Sequence, residues 1–233
     1  MDLDRLRRNW ENLGRKDAMW AILTAPGTEG GRWDEAAFFQ TGVDHVAWLG
    51  SWLGLHGIAV PKGDALDFGC GIGRLTQALA PHFATVTGVD ISAPMIELAR
   101  TKNRFGERVR YAVNARADLA AFADGSFAFV HTAIVLQHMR PEYSLGYLRE
   151  FLRVLRPGGL LFGQLATGEL RPGAAAFAPA VERQGEAMME VHCVEWDGVL
   201  ATVAAGGGEL LRAEEDRWAG EHWRSVHFAV ARR

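Results

Sequence analysis

The sequence predicts an α/β protein with a mostly parallel seven-stranded sheet, helices on both faces and an antiparallel last strand. A short apolar run breaks into alternating glycines within residues 65–80 and then resumes with helical spacing. From there to about residue 205, strand-like and helix-like segments alternate, which is typical of a parallel sheet. Apolar segments near the end of the chain, one beginning at 210–211 and one over 223–230, favour a closing antiparallel hairpin.

The start of the chain is expected to form a helical cap over residues 1–43. Apolar residues spaced by three and four predict an amphipathic helix over residues 1–13 that Gly14 ends, and a second short helix over residues 17–23. A longer helix is expected to begin after an N-cap at Asp44. The cap either fills out the core or folds over a ligand site as a lid that excludes water.

Residues 44–233 are expected to form the main domain, whose first strand ends in a glycine-rich turn. The turn runs from Asp67 to Gly73 with the spacing G-x-G-x-G. Glycines there leave room for a ligand to lie against backbone N–H groups. A second strand over residues 85–89 ends at Asp90, about twenty residues further on, where a carboxylate can accept hydrogen bonds from ribose hydroxyls. A nucleotide-sized ligand is therefore expected.

The later segments continue the same alternation of helices and strands. They are a helix over 95–103, strands over 109–113 and 127–136, a helix from Pro141 to about Arg156, a strand over 160–165 and a helix over 194–205. An aperiodic insertion, rich in Pro and Ala, is expected over residues 168–185; in folds of this class the connection at this place commonly shapes a ligand pocket.

With Asp67 included, the glycine turn resembles motif I of the class I S-adenosylmethionine-dependent methyltransferases. Asp90, the fourth strand and the break Leu155–Gly159 also fall at the intervals that this family shows. The resemblance implies a Rossmann-like fold and an enzyme that uses S-adenosyl-L-methionine as its cofactor. It further implies in-line methyl transfer to an oxygen, nitrogen or carbon atom of a small-molecule or glycan-type acceptor, with S-adenosyl-L-homocysteine as the product.

The resemblance also implies a set of site residues, with the methionine end of the cofactor near Gly69 and the ribose on Asp90. The family often carries a Gly-Asp pair for adenine after the third strand; this chain has Asn114-Ala115 instead, so Asn114 and Asp118 are alternative adenine contacts. The full implied cofactor set is Asp67, Gly69, Cys70, Gly71, Gly73, Asp90, Ile91, Met95, Asn114, Ala115, Asp118, Val135 and Gln137.

Histidines supply the candidates for a general base. His138 is the first candidate, because it follows the fourth strand at the carboxyl edge where open α/β sheets bind ligands. Alternatively, its ring only orients the loop that follows the strand. His192 precedes the last helix and is the second candidate, with a buried structural role as its alternative.

Composition argues against several other classes of protein. The formal net charge is -3, from 28 acidic and 25 basic residues, and no basic block indicates a nucleic-acid partner. The sequence contains no apolar run long enough for a membrane span and no signal peptide, so a cytoplasmic protein is expected. Cys70 and Cys193 stand far apart without metal-ligand neighbours, and no metal site is expected.

Two other functions fit part of the sequence. A nicotinamide-dependent oxidoreductase would share the strand–turn–helix unit and the acidic ribose residue, but the glycine spacing and Asp67 count against it. A non-catalytic protein that binds the cofactor or a protein partner would also be compatible, since the fold does not determine the function.

Overall fold

A computed structural model describes residues 2–170 and 189–233. Most of the expected insertion at 168–185 lies outside the described residues. The helices are α1 (Leu3–Ile22), α2 (Glu35–Leu55), α3 (Arg74–Leu79), α4 (Ala93–Thr101), α5 (Pro141–Val154) and α6 (Trp196–Ala205). The strands are β1 (Ala65–Phe68), β2 (Val86–Asp90), β3 (Val109–Val113), β4 (Phe127–Thr132), β5 (Leu155–Glu169), β6 (Gly208–Asp216) and β7 (Trp223–Arg232).

Within the described residues, the strands form one seven-stranded sheet in the order β3-β2-β1-β4-β5-β7-β6. Strands β1, β2 and β3 pair in parallel, as do β4 and β5. Strand β7 pairs antiparallel with both β5 and β6. The predicted fold class, a mostly parallel sheet closed by an antiparallel hairpin, is therefore confirmed.

The described chain divides into two compact units. Arg7–Ala115 forms one unit, and the described residues within Met1–Leu6 and Arg116–Arg233 form the other. In the first unit all four residues of β1 are buried, as expected for a central parallel strand. In the second, β4 is buried along its whole length and α5 packs against α6.

The N-terminal helices differ in part from the sequence prediction. Gly14 does not end the first helix; the helical backbone is interrupted at Asp17, whose carboxylate accepts hydrogen bonds from the amides of Trp20 and Gly31. The expectation of two helical segments on either side of this region is correct. Gly14 instead leaves space for a neighbouring side chain: a Cβ at this position would lie 3.2 Å from Cγ of Met95.

The boundary expected near residues 43 and 44 falls inside α2. The N-cap of α2 is Asp34, whose carboxylate accepts a hydrogen bond from the amide of Ala37, whereas Asp44 lies in mid-helix and accepts one from Gln40. Gly42, also in mid-helix, allows close packing, because a Cβ there would overlap the carbonyl oxygen of Arg74. Helix α2 therefore runs without interruption across the expected boundary between the cap and the main domain.

Strands β4 and β5 differ most from their predicted bounds. Strand β4 ends at Thr132 rather than at residue 136, because Ile134 adopts a left-handed conformation with φ 60°. Strand β5 begins at Leu155 and runs through Pro157-Gly158-Gly159, with an irregular register against β4 between Phe127 and Phe129. The bounds of β3 are as predicted.

Candidate functional site

The turn between β1 and α3 has the backbone conformation that its glycines predict. Gly69, Gly71 and Gly73 all adopt positive φ angles, of 76°, 52° and 87°. Side chains with a Cβ rarely take this conformation, so the alternation of glycines is a requirement of the turn itself. At Gly71 a Cβ would lie only 2.5 Å from Cδ1 of Ile22, so the last turn of α1 closes directly over the glycine.

The backbone amides of this turn donate to the end of β2. The amides of Gly69 and Cys70 both donate to the carbonyl of Val89, at 2.8 and 3.0 Å, and the amide of Gly71 donates to Oδ2 of Asp90 at 2.8 Å. The expectation that the turn offers its N–H groups to a ligand is thus wrong for these three amides. They fix the position of Asp90 relative to the turn.

Both carboxylate oxygens of Asp90 accept hydrogen bonds from backbone amides. Its Oδ1 accepts a hydrogen bond from the amide of Ser92 at 2.8 Å, while its Oδ2 holds Gly71. Burial raises the pKa of Asp90 to about 6, against the effect of these amides, and the nearby carboxylate of Asp67 raises it further. Asp90 as a whole residue is half-buried.

Asp67 and Cys70 are enclosed by the protein. The Asp67 carboxylate is 2% exposed and accepts a hydrogen bond from the Thr76 hydroxyl at 2.6 Å. Burial raises the pKa of the Cys70 thiol well above its usual range, and its Sγ lies 3.6 Å from the carbonyl oxygen of Gly71. A buried thiol of this kind is a poor nucleophile, so both side chains support the turn rather than perform chemistry.

Helix α1 contacts three of the expected cofactor residues or their neighbours. Besides Ile22 at Gly71, the carbonyl of Trp10 accepts a hydrogen bond from Ser92 Oγ at 3.3 Å, next to Asp90. Met95 packs on Gly14. The sequence predicts a general role of α1 as a cap or lid, but nothing local to residues 10–22 indicates these contacts.

The expected adenine residues are distributed over both compact units. The amide of Asn114 donates to the carbonyl of Asp90 at 2.8 Å, which holds the end of β3 beside the end of β2; Ala115 is exposed. In the other unit, Asp118 accepts two hydrogen bonds from Arg116, at 2.7 and 3.1 Å, which lower the pKa of the carboxyl. Its carboxylate thus already has a cationic partner.

Strand β4 leads into a strained turn that carries Val135, Gln137 and His138. Ile134, the residue with positive φ, donates its amide to Oε1 of Gln164 on β5 at 2.9 Å. The other end of that amide group, Nε2 of Gln164, donates to Oε1 of Gln137 at 3.2 Å. Strained β-branched residues are costly and occur often at functional sites, and here Gln164 compensates the strain. Sequence reasoning missed Gln164.

The His138 ring is buried at the end of this turn. Its Nδ1 lies 2.7 Å from the backbone carbonyl oxygen of Glu190, so Nδ1 carries the hydrogen. Nε2 is then the acceptor nitrogen, and it lies 3.5 Å from Nε2 of Gln137. Burial lowers the pKa of His138 to about 4. The ring is therefore neutral at physiological pH, and its role there is to accept a hydrogen bond rather than to carry a positive charge. Glu190 was also missed, since it follows the aperiodic insertion.

The described residues contain no metal-binding cluster and no membrane-spanning helix. Within residues 2–170 and 189–233, three or more His, Cys, Asp or Glu side chains never converge in a way that would hold a metal ion. The helices of the same part of the chain are too short or too polar to cross a membrane. The expectation that the protein has no metal site stays a prediction.

Comparison with known proteins identifies similar sequences. Residues 65–159 match the family model of a methyltransferase domain. The chain is 37% identical over 122 residues to a ubiquinone biosynthesis O-methyltransferase of Xanthomonas campestris pv. campestris, covering 52% of this chain and 49% of the relative. It is 34% identical over 125 residues to the 2-methyl-6-phytyl-1,4-hydroquinone methyltransferase of Synechocystis sp., covering 53% of this chain and 38% of that protein. The chain thus spans about half or less of these relatives.

Solved structures share the fold over a longer stretch. The magnesium protoporphyrin IX methyltransferase of Synechocystis PCC 6803, crystallised with bound SAH, superposes with a TM-score of 0.68 at 19% identity and full coverage of both chains. A SAM-dependent methyltransferase of Methanosarcina mazei gives a TM-score of 0.62 at 20% identity, covering 76% of this chain and 96% of that one. At such identities the likeness concerns the fold.

Proposed function

We propose that this chain, whose residues 65–159 match the family model of a methyltransferase domain, is a class I methyltransferase that transfers a methyl group from S-adenosyl-L-methionine to a hydroxyl of a small aromatic acceptor. The choice of cofactor rests on one observation of the structure: the amide of Gly71 fixes the Asp90 carboxylate against the glycine turn. The choice of oxygen as the reacting atom rests on the curated relatives, which include O-methyltransferases of quinone biosynthesis. The nitrogen, carbon and glycan-type acceptors expected from the sequence lack this support.

The residues of the first unit fit the proposed cofactor. The Asp90 carboxylate is held in place by two backbone amides, as a carboxylate that accepts hydrogen bonds from two ribose hydroxyls must be. The glycines of the turn have no side chains of their own, and the methionine end of the cofactor is proposed to lie against this backbone. The proposal also retains Asp67, Gly73, Ile91, Met95, Asn114, Ala115, Asp118, Val135 and Gln137 as cofactor residues, on the family resemblance alone.

The cofactor supplies an activated methyl group on a sulfonium, whose neutral thioether leaving group needs no acid. The protein must therefore align the acceptor, exclude water and remove the proton of the acceptor hydroxyl. Ile22 of α1 covers the turn at Gly71, and of the two roles left open for the N-terminal helix, core filling or lid, we propose the lid. His138 is proposed to accept a hydrogen bond from the acceptor through Nε2, since its ring stays neutral.

A binding and turnover experiment tests the proposed function. The full chain is titrated calorimetrically with S-adenosylhomocysteine and with NADH, and then incubated with S-adenosylmethionine and catechol, hydroquinone or 3,4-dihydroxybenzoate. We expect S-adenosylhomocysteine to bind, NADH not to bind, and at least one of the phenols to gain a methyl ether. Tight NADH binding alone would support the oxidoreductase. Cofactor binding without transfer to any of these phenols would overturn the proposed acceptor class, and the same result with a broad metabolite panel would support the non-catalytic protein.

The affinity for S-adenosylhomocysteine is expected to decrease as the pH falls below about 6. Only the ionised Asp90 carboxylate accepts both ribose hydrogen bonds, and burial raises its pKa to about 6. If only this form binds, the dissociation constant is flat from pH 7.5 to 9 and rises about tenfold per pH unit well below pH 6.

Acid unfolding caused by the titration of Asp90 does not account for this expected loss of affinity. Because the folded-state pKa of Asp90 is raised above its usual value of 3.8, its contribution to folding is fully present below that value and is lost as the pH rises through about 6. Titration calorimetry between pH 5 and 9 measures the effect, and Asp90→Asn serves as the control. A wild-type affinity that is constant over this range, with the fold intact, would exclude Asp90 from the cofactor site.

The expected location and partners remain proposals as well. A cytoplasmic location and the lack of a nucleic-acid partner rest on composition and charge alone.

A further inference from the structure

The segment Glu190–Cys193 lies against the turn that follows β4. The amide of His192 donates to the carbonyl of Gln137 at 2.7 Å, and the carbonyl of Glu190 lies 2.7 Å from His138 Nδ1. Cys193 forms a parallel bridge with Ala166 of β5. Backbone groups thus hold this segment at the carboxyl ends of β4 and β5, where the candidate acceptor residue His138 is found.

The same segment contains a paired histidine and carboxylate. Nε2 of His192 lies 3.1 Å from Oε2 of Glu190, and their side chains are 24% and 15% exposed. If Nε2 donates its hydrogen to the carboxylate, Nδ1 keeps a lone pair and can take a proton. A carboxylate in this position fixes the tautomer of the ring and stabilises the imidazolium once it forms, as in other histidine–carboxylate pairs of enzymes.

Glu190 therefore contacts two histidines with different environments. Its backbone carbonyl accepts a hydrogen bond from His138, a residue that is 8% exposed. Burial lowers the pKa of His138 to about 4. Its carboxylate binds His192, whose positive charge when protonated further disfavours a proton on His138. The two histidines therefore differ in chemistry: His138 is a neutral hydrogen-bond acceptor, whereas His192 has a carboxylate partner.

We propose that His192, oriented by Glu190, takes the proton of the acceptor hydroxyl during methyl transfer, an inference that rests on the proposed O-methyltransferase function. His192 is the catalytic residue in this proposal and Glu190 is the positioning residue. His138 keeps its role as a neutral contact to the acceptor.

The step balances without any further reagent. The acceptor O–H bond breaks and its proton moves to Nδ1 of His192, while the oxygen forms a bond to the methyl carbon. The bond between that carbon and sulfur breaks, and its electron pair stays on sulfur as a neutral thioether. The imidazolium, paired with the Glu190 carboxylate, then loses its proton to water.

Two phenols of similar shape separate a base from a structural role. Catechol keeps its protons at pH 7.5, whereas 4-nitrocatechol is largely ionised there and needs no base. We expect His192→Gln, whose amide can still bind Glu190, to lower kcat for catechol by about a hundredfold or more. The same variant should change kcat for 4-nitrocatechol less than about threefold. Glu190→Gln should give a smaller loss that is also confined to catechol.

Controls distinguish the failure of this inference from the failure of the proposed function. His222→Gln, the same substitution at an exposed site on the loop before β7, should leave both rates unchanged. His192→Gln should bind S-adenosylhomocysteine as the wild type does. Equal losses on both phenols, or no loss on catechol, would overturn the role of His192 and leave the proposed function intact. A wild-type protein that binds the cofactor but methylates neither phenol overturns the acceptor class and this inference together.

A spectroscopic readout tests the geometry without turnover. Long-range nitrogen–proton NMR spectra of the histidine rings should show His138 protonated at Nδ1 and His192 protonated at Nε2. Nδ1 protonation of neutral His192 would remove the lone pair that the proposal needs and would overturn it.

Discussion

Replacement of Asp90 by alanine is expected to weaken S-adenosylhomocysteine binding at least tenfold. The carboxylate holds the amides of Gly71 and Ser92 at 2.8 Å each and is proposed to accept the ribose hydroxyls. A hydrogen bond to a charged group contributes about 1.5–3 kcal/mol, which corresponds to a factor of about 10–100 in the dissociation constant. Titration calorimetry at pH 8, where the carboxylate is ionised, measures the change.

Asp64→Ala provides the matched control for this measurement. Asp64 precedes β1, at the opposite end of the same pair of strands, and its carboxylate accepts hydrogen bonds from the amide and hydroxyl of Thr85 at 3.2 and 2.8 Å. Its loss removes two comparable hydrogen bonds from the same sheet, far from the glycine turn. We expect the affinity of Asp64→Ala to stay within about twofold of wild type; an unchanged dissociation constant for Asp90→Ala would remove Asp90 from the site.

The parts of the fold that the sequence predicts well are those determined by local chemistry. The turn from Gly69 to Gly73 needs positive φ angles, which only glycine accepts readily, so its position is evident from residue types alone. The bounds of β3 follow from a short β-branched and aromatic run between polar segments. Asp90 could be placed at the end of β2 for the same reason.

The errors arise where distant residues determine the backbone. Asp34 and Asp44 are equally good N-caps by composition, and Gly42 looks like a break between helices. Gly42 nevertheless lies inside α2, where the carbonyl oxygen of Arg74, from another helix, occupies the space that a side chain would need. Similarly, β4 stops early because Gln164, thirty residues away, stabilises Ile134 in a left-handed conformation. No local pattern contains this information.

The candidate site shows the same division between local and distant determinants. Asp67, Asp90 and His138 were identified from motifs and strand ends. Asp67 lies on β1, Asp90 ends β2, and His138 lies in the turn that follows β4. Ile22, Gln164 and Glu190 were not identified, since each contacts the site through the tertiary fold. The N-terminal cap was expected in general terms, whereas its contact with the turn required the structure.

Gly71→Ala is expected to destabilise the protein by about 2–5 kcal/mol and to weaken cofactor binding. A left-handed conformation costs a residue with a Cβ about 1–2 kcal/mol, and overpacking adds about 1–3 kcal/mol. The new methyl group would lie 2.5 Å from Cδ1 and 2.9 Å from Cγ1 of Ile22, so α1 or the turn must move. Since the amide of Gly71 also binds Asp90, movement of the turn displaces the proposed ribose contact.

Three further variants, which are Gly30→Ala, Ile22→Ala and the double variant Ile22→Ala/Gly71→Ala, separate the backbone cost from the overlap with Ile22. Gly30 has a φ of 77° and no heavy atom within 4 Å of an added Cβ, so Gly30→Ala should show the backbone cost alone. In a protein that already carries Ile22→Ala, the additional effect of Gly71→Ala should fall to about the value for Gly30→Ala. Urea unfolding of the four variants measures these differences through the transition midpoints. An equal cost of Gly71→Ala in both backgrounds would show that Ile22 does not cover the turn in solution, and the proposed lid would lose its support.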